Sequence, residues 1–426
     1  MKDSPAKTGT PRGLKFFYYL FLGILSIFGA VVIVQRLVIG MKVTALSSTI
    51  AWGMWVAFYI YFIGLSAGSF LLSTLIYVFG MKRLEKVGRM ALVSALFALF
   101  GGLGFIWMDL GHPWRFWRIF YNWNYTSVLA WESLFYVFYI LVIMGELWFL
   151  MREDFSRLSQ EKTGGLGWLY RVLAFGVQTP SAEEEEKKLH QNSMKWVRIL
   201  GIVGIPLAIG VHGGTGAIFA VVGARPYWFS GLFPIIFLVS ALVSGAALMT
   251  FLYAFFGQRD EDHPSIVQEM AKLMVLFIFI DLLLLFAEYL VGWYSGIPTH
   301  AKIYHIIMFG PFPYTFWLGQ VLMGMLIPIL LALLPFTRKN VYFLGLAGLS
   351  AVIGIVAVRL NLVIPAYILP VLKGLDTAYY DKRWTYSYFP SYMEWATSIG
   401  LIAIVVLLFS VACEILPLFP WKTKEN

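Results

Sequence analysis

Ten ionisable side chains sit within or at the ends of long apolar runs of this 426-residue chain: Arg36, Asp109, Glu132, Glu146, His212, Asp281, Glu288, Arg359, Glu394 and Glu414. A charge placed in hydrocarbon is costly, so an acid or histidine kept there is a candidate for proton transfer or ligand binding. Glu132, His212, Asp281 and Glu288 are the residues expected to move protons, because a carboxyl or an imidazole can both give and take one. Asp281 precedes Glu288 by seven residues, which puts both carboxyls on one helix face about 10 Å apart along the axis. That ladder suits a proton relay; an ion pair of Glu288 with Arg359 is the structural alternative. A second polar cluster lies in MDLGHPWRFW (Met108–Trp117), where Asp109, His112 and Arg115 are interleaved with tryptophans and a proline at the edge of an apolar run.

Ligand counting narrows the redox chemistry. Of the six histidines only His212 lies well inside an apolar run, which does not supply the facing pair a membrane b haem usually takes. His300 and His305 are five residues apart in a connection with no companion cluster, a poor zinc site. The lone Cys413 excludes cysteine-ligated iron–sulfur clusters, CxxCH haem attachment and an internal disulfide. Any redox work by this chain is therefore expected to need no haem, iron–sulfur cluster or other metal of its own. The glycine-rich GVHGGTGAIFAVVGA lacks the GxxxxGK[ST] of a phosphate loop, and small residues in such a run let helices approach closely.

The elements that must position these groups follow from hydropathy. The chain is 60% hydrophobic and 13% charged, with mean hydropathy +0.76. A soluble fold of this size could not hide so much apolar surface. Repeated apolar runs of about 20 residues match the ~30 Å hydrocarbon core of a bilayer and exclude a barrel of short alternating strands. The expected fold is an all-α polytopic membrane protein with ten spans near 16–40, 49–80, 88–109, 126–150, 197–221, 231–256, 271–294, 313–336, 341–365 and 393–416. Residues 1–15 and 417–426 form short tails, 152–195 a large loop on their side, and 110–125, 295–312 and 366–392 the connections opposite. The opening MKDSPAKTGTPRGLK reads as a polar, basic lead-in to the first span rather than a cleavable signal.

Of the 32 lysines and arginines, 22 fall on the side of the tails and nine on the other, with Arg359 inside a span. By the positive-inside rule both termini are expected in the cytoplasm. With that orientation Glu132, His212, Glu288, Arg359 and Asn361 converge on the outer half, and Asp281 sits deeper. Arg36, Glu146, Glu394 and Glu414 lie near span ends, where snorkelling or interfacial solvation is expected. In the large loop, Pro180 and Ser181 ahead of EEEEKK predict the start of a solvated surface helix.

Several segments, taken together, resemble the NrfD/PsrC family of membrane subunits. They are AWGMWVAFYIYFIGLSAGSF (51–70), MDLGHPWRFW with NWNYTSVLAWE (122–132), and GIPLAIGVHGGTGAIFAVVGARPYW (204–228). FAEYLVGWYSG (286–296), VRLNLVIPAYILP (358–370) and YFPSYMEWATSIG (388–400) continue the match. Ten spans with a long last outer loop are similar to the DsrP/HybB/ActC branch, and to DsrP most of all.

The resemblance implies two four-helix bundles, helices 2–5 and 6–9, with flanking helices, in the inner membrane of a prokaryote. It implies a subunit without haem that exchanges electrons between bound menaquinone and an outer-face ferredoxin-like iron–sulfur subunit. Other membrane and cytochrome subunits of a Dsr-type complex, linked to sulfite or sulfur metabolism, would complete the assembly. Trp52, Trp55, Tyr59, Trp114 and Trp117 could wall the ring. His112 could bond one of its oxygens, and Arg115 could stabilise negative charge on it or pair with Asp109. Tyr289, Arg359 and Asn361 are placed at the same pocket or its rim. Smaller family members carry a histidine in the helix matching 49–80, and this sequence has none there. The competing reading is a secondary transporter or proton-translocating subunit without quinone chemistry of its own.

Overall fold

A computed structural model describes residues 12–180 and 182–419. Among these residues the fold is all helical, and ten helices are long and apolar enough to cross a membrane. They are α1 (Arg12–Ile39), α2 (Met54–Tyr77), α3 (Glu85–Asp109), α4 (Val128–Glu161) and α5 (Glu183–Ala220). The second half comprises α6 (Phe233–Phe256), α7 (His263–Tyr294), α8 (Thr315–Leu333), α9 (Val341–Val363) and α10 (Tyr392–Ile415).

Local sequence sets several of the boundaries. Ser391 caps α10 in a reciprocal box with Glu394, and the Asn340 side chain accepts from the Tyr342 and Phe343 N–H groups at the start of α9. Three helices outrun their apolar segments: α4 continues to Glu161, α5 begins at Glu183, and α7 begins at His263. The surface helix expected at Pro180–Ser181 is the polar start of α5, with Glu183 to Glu186 in its first turn; Ser181 lies outside the described residues. Residues 1–11 and 420–426 of the expected tails also lie outside them.

Helices α2–α5 pack as one four-helix bundle and α6–α9 as another, joined through α2 against α6 and α9 and through α5 against α6. The joint is close. A Cβ on Gly68 would run into the Ala241 carbonyl oxygen, and one on Gly245 would run into the Gly68 carbonyl carbon. Only glycine pairs permit that backbone approach. Helices α1 and α10 form a flanking pair against α3. Lys15 and Tyr19 reach Glu414 at 2.7 and 2.6 Å, so both ends of the described chain lie on one face. We call this the termini face and its opposite the far face. On the termini face Arg89 bonds Asp154, the Leu150 carbonyl and the Pro417 carbonyl, and Lys86 bridges Asp260 and Asp262. On the far face the connection before α10 is strapped to the α1–α2 connection. There the Ser48 N–H and the Thr49 hydroxyl donate to the Arg383 and Thr385 carbonyls, and the Met54 N–H donates to the Tyr388 hydroxyl.

Candidate functional site

The far half of the second bundle contains a cleft between α6, α7, α8 and α9. Its apolar walls include Phe233, Phe237, Leu285 and Leu362, and its polar lining comprises Tyr227, Glu288, Tyr289, Gln320, Arg359 and Asn361. Helix α8 is wound as a π-helix over Thr315–Leu326, an expanded turn that often marks a functional segment. This winding turns both Thr315 and Gln320 toward Asn361. Thr315 donates to Oδ1 at 2.7 Å, and Nδ2 donates to the Gln320 Oε1 at 2.9 Å. Glu288 accepts from the Ser230 hydroxyl at 2.9 Å, and the Tyr289 ring lies 4.6 Å from Tyr304. Just outside the membrane segments, burial pushes the Tyr227 hydroxyl well above the ordinary tyrosine range, so it stays a neutral donor, here to the Asn361 carbonyl at 3.3 Å. The cleft encloses about 460 Å³ with its open mouth, of which about 40 Å³ is freely accessible, room for a few waters.

Arg359 joins this cleft to the bundle junction. It is buried, donates to Ser240 at 2.9 Å, lies 5.0 Å over the Phe237 ring, and keeps an unpartnered Nε among the described residues. His212 packs on the same ring at 5.4 Å, is fully buried, and has no hydrogen-bond partner on either nitrogen among the described residues. Gly64 makes the room, since a Cβ there would lie 3.3 Å from the imidazole and 3.5 Å from the guanidinium. Asp281 is buried with Oδ1 unpartnered among the described residues and lies within electrostatic reach of Arg359. The alternative pairing of Glu288 with Arg359 is not formed, because Glu288 turns to Ser230 and Arg359 to Ser240.

The first bundle holds a separate cluster. Tyr59 and Tyr136 donate to Glu132 Oε1 at 2.9 and 3.0 Å, Thr215 donates to the same oxygen, and the two tyrosine hydroxyls are 2.7 Å apart. Oε2 is buried without a partner among the described residues.

The expected tryptophan wall divides. Trp52 stacks on Trp228 at 5.7 Å beside Phe219 and Tyr367, over the joint between the bundles. Trp55 is buried and donates to Thr397 at 2.9 Å, on the α10 side. Trp114 and Trp117 face outward on the far surface with His112 and Arg115. Among the described residues Asp109 makes no ion pair with Arg115 and lies instead within electrostatic reach of Arg36.

Three expectations of snorkelling are corrected. Arg36, Glu146 and Glu394 are each at most 1% exposed. Arg36 donates to the Leu110 carbonyl at 2.6 Å, and Glu394 accepts from Tyr388 at 2.5 Å and from the Ala45 N–H at 2.9 Å. Depth along a helix says how near the interface a residue is, but not whether neighbouring helices cover it. Glu414, by contrast, is half exposed and pairs with Lys15.

Sequence reasoning passed over Tyr136, Thr215, Ser240 and Gln320. Tyr136 was findable four residues after Glu132, on the same face. Gln320 is the one amide in the apolar stretch of α8.

Comparison with known proteins agrees with this architecture. The chain is 50% identical to a selenate reductase subunit of Mesobacillus selenatarsenatis over 97% of its length and 96% of the relative's. It is 28% identical to the Hdr-like menaquinol oxidoreductase integral membrane subunit of Archaeoglobus fulgidus, covering 91% of this chain and 89% of that one. It is 24% identical to the menaquinone reductase integral membrane subunit of Nitratidesulfovibrio vulgaris, covering 96% and 92%. The profile described as polysulphide reductase, NrfD matches residues 42–371, and with these helices, bundles and buried polar groups the chain belongs to the NrfD polysulphide reductase family.

Proposed function

We propose that this multi-pass membrane protein is the quinone-interacting subunit of a multisubunit respiratory oxidoreductase. It exchanges electrons between menaquinone in the far half of the helices and an iron–sulfur partner seated on the far face. The observation that carries this reading is the second-bundle cleft, where apolar walls end in the unpartnered Arg359 Nε, the Gln320 amide and a carboxyl. That donor set suits a flat ring with two carbonyl oxygens, the usual mixture of an apolar slot and few polar contacts. When bound, a quinone supplies a centre that changes by two electrons and two protons.

The chain's residues do the rest. Phe233, Phe237 and Leu362 exclude water from the ring faces. Arg359 Nε and the Gln320 amide are placed to donate to a ring oxygen. Ser230 holds the Glu288 carboxyl at the rim, where it can exchange a proton with the other oxygen. Because the freely accessible space is small, a ring enters only with movement of side chains that line the cleft. The relatives named for menaquinol or menaquinone chemistry support the choice of quinone.

The selenate reductase relative and the family's polysulphide name support a terminal enzyme that reduces a selenium or sulfur compound. Sulfite, suggested by the resemblance to DsrP, belongs to the same class. The charge distribution supports cytoplasmic termini in a prokaryotic inner membrane, with the far face outward. There Arg115, Arg118 and the exposed Trp114 and Trp117 suit partner docking, with His112 at the rim.

The test is to isolate the complex, identify its extracted quinone, and compare two pairs of variants. Arg359→Gln and Gln320→Leu should lower quinone-linked turnover by about tenfold or more with assembly intact. Absence of bound quinone, or loss confined to Tyr59→Phe and Glu132→Gln in the first bundle, would sink the cleft assignment.

A further inference from the structure

The connection between α4 and α5 contains a short helix, Gly164–Ala174, that the quinone site does not use. Its inner face is formed by Gly167, Tyr170 and Ala174, spaced by three and four and buried, with the Tyr170 ring stacked on Phe155 at 6.4 Å. On the opposite face Trp168, Val172 and Phe175 follow at spacings of four and three, and all three are exposed. A helix standing in water turns polar residues outward, whereas this one is apolar on both faces. Phe175 sharpens the contrast. It is 83% exposed, and among the described residues it is the one non-glycine in the left-handed backbone region, with φ 51°. Two hydrogen bonds fix the height of the helix. The Trp148 indole of α4 donates to the Leu173 carbonyl at 2.9 Å, and the Tyr170 hydroxyl donates at 2.8 Å to the carbonyl of Ile415, the last residue of α10. Charged groups close the apolar runs at this level: Glu414, paired with Lys15, precedes Ile415, and Arg152 lies one turn beyond Trp148. The Arg152 guanidinium covers the Trp148 and Phe149 rings at 5.4 and 4.9 Å, and Phe149 stacks on Trp196 of α5 at 5.7 Å. Such a girdle of rings and charges marks the boundary of hydrocarbon and headgroups. Trp148 also continues the stripe of α4 that carries the exposed Leu141 and Met144, so the short helix adjoins the surface that α4 turns to lipid.

We propose that Gly164–Ala174 is an interfacial helix lying in the membrane surface on the termini face, with Trp168, Val172 and Phe175 sunk among the acyl chains just below the phosphates. The occupant of its outer face is the bilayer itself. Burying three large side chains in that layer supplies the attraction, and placing the Phe175 ring in hydrocarbon offsets the strain of its backbone. Arg171, exposed and without an ion pair among the described residues, extends along its own apolar stem to the phosphates. The helix thereby pins the early part of the 152–195 connection to the membrane and leaves the polar start of α5, with Glu183 to Glu186, to reach into water. The inference needs only the membrane spans and is independent of the quinone reading.

Photo-crosslinking in native membranes tests this, with p-benzoylphenylalanine incorporated into the full chain in place of Trp168, Val172 or Phe175, one at a time. Leu141, exposed on α4, is the lipid reference, and Lys162, exposed just ahead of the helix, is the water reference. After illumination the chain labelled at each of the three positions should gain the mass of a phospholipid, in a yield within about threefold of that at Leu141 and about tenfold above that at Lys162. A yield closer to that at Lys162 puts the face in water and overturns the proposal. A crosslinked band of protein mass assigns the face to a partner subunit and overturns it as well. If the Phe175 variant does not assemble, Trp168 and Val172 judge the face by the same masses.

Discussion

At the scale of the residue, the far-face strap offers a reading in pH. Burial first, and then the Glu394 carboxylate, push the Tyr388 hydroxyl above the ordinary tyrosine range. The folded chain therefore keeps a proton that the unfolded chain releases near pH ~10. The contribution of Tyr388 is whole below that pH and is lost as pH rises above it. Tyr388→Phe should show a shallower loss of thermal stability above about pH 10 than the parent, measured as the unfolding midpoint against pH. An equal slope would remove Tyr388 from the account. Glu132, His212, Asp281, Glu288, Arg359 and Asn361 were legible because a charge or amide stands out against a hydrophobic run. Thr215, Ser240 and Tyr136 were not, since a hydroxyl in a membrane helix is cheap and common. Nor could spacing divide the tryptophans: Trp55 and Trp117 have one chemistry, and only packing makes the first a buried donor and the second a surface ring.

At the scale of the element, the winding of α8 makes the sharpest prediction. The π-helical turn brings Thr315 and Gln320 to the same amide of Asn361. Deleting the lipid-facing Leu318 tightens that turn and moves Gln320 away from Asn361, leaving a buried amide unpaired at a cost of about 1–3 kcal/mol. Quinone-linked turnover should then fall by about tenfold while the complex still elutes as one species. Turnover within twofold of the parent would show that the winding is incidental. Hydropathy had no access to this detail, because residues 315–326 are equally apolar in either winding. It did place all ten spans, and it missed the extensions of α4, α5 and α7 for a physical reason. Those turns carry polar residues that hydropathy scores low, and backbone hydrogen bonding continues the helix without help from lipid; in α4 protein packing covers them, with Arg152, Asp154, Phe155 and Ser156 buried.

At the scale of the whole molecule, the two bundles meet on glycine. Gly68→Val would drive a branched side chain into the Ala241 carbonyl, a backbone clash that side-chain repacking cannot relieve, with a cost of about 3 kcal/mol, the upper end for overpacking. The yield of monodisperse complex should collapse, and the remainder should unfold several degrees earlier; a normal midpoint would mean that the joint is looser than described. The flanking pair has a consequence of another kind, in time. Helix α1 packs chiefly along α10, and everything between Ile39 and Tyr392 must be synthesised before they meet, roughly 20–70 s at bacterial translation rates. During that interval the inner flank of α1 is bare, and Arg36 waits in the bilayer until the Leu110 carbonyl has been made. The seam between α1 and α10 is therefore the last to close during biogenesis, and whatever lipid or insertion machinery shelters α1 must release it on that schedule.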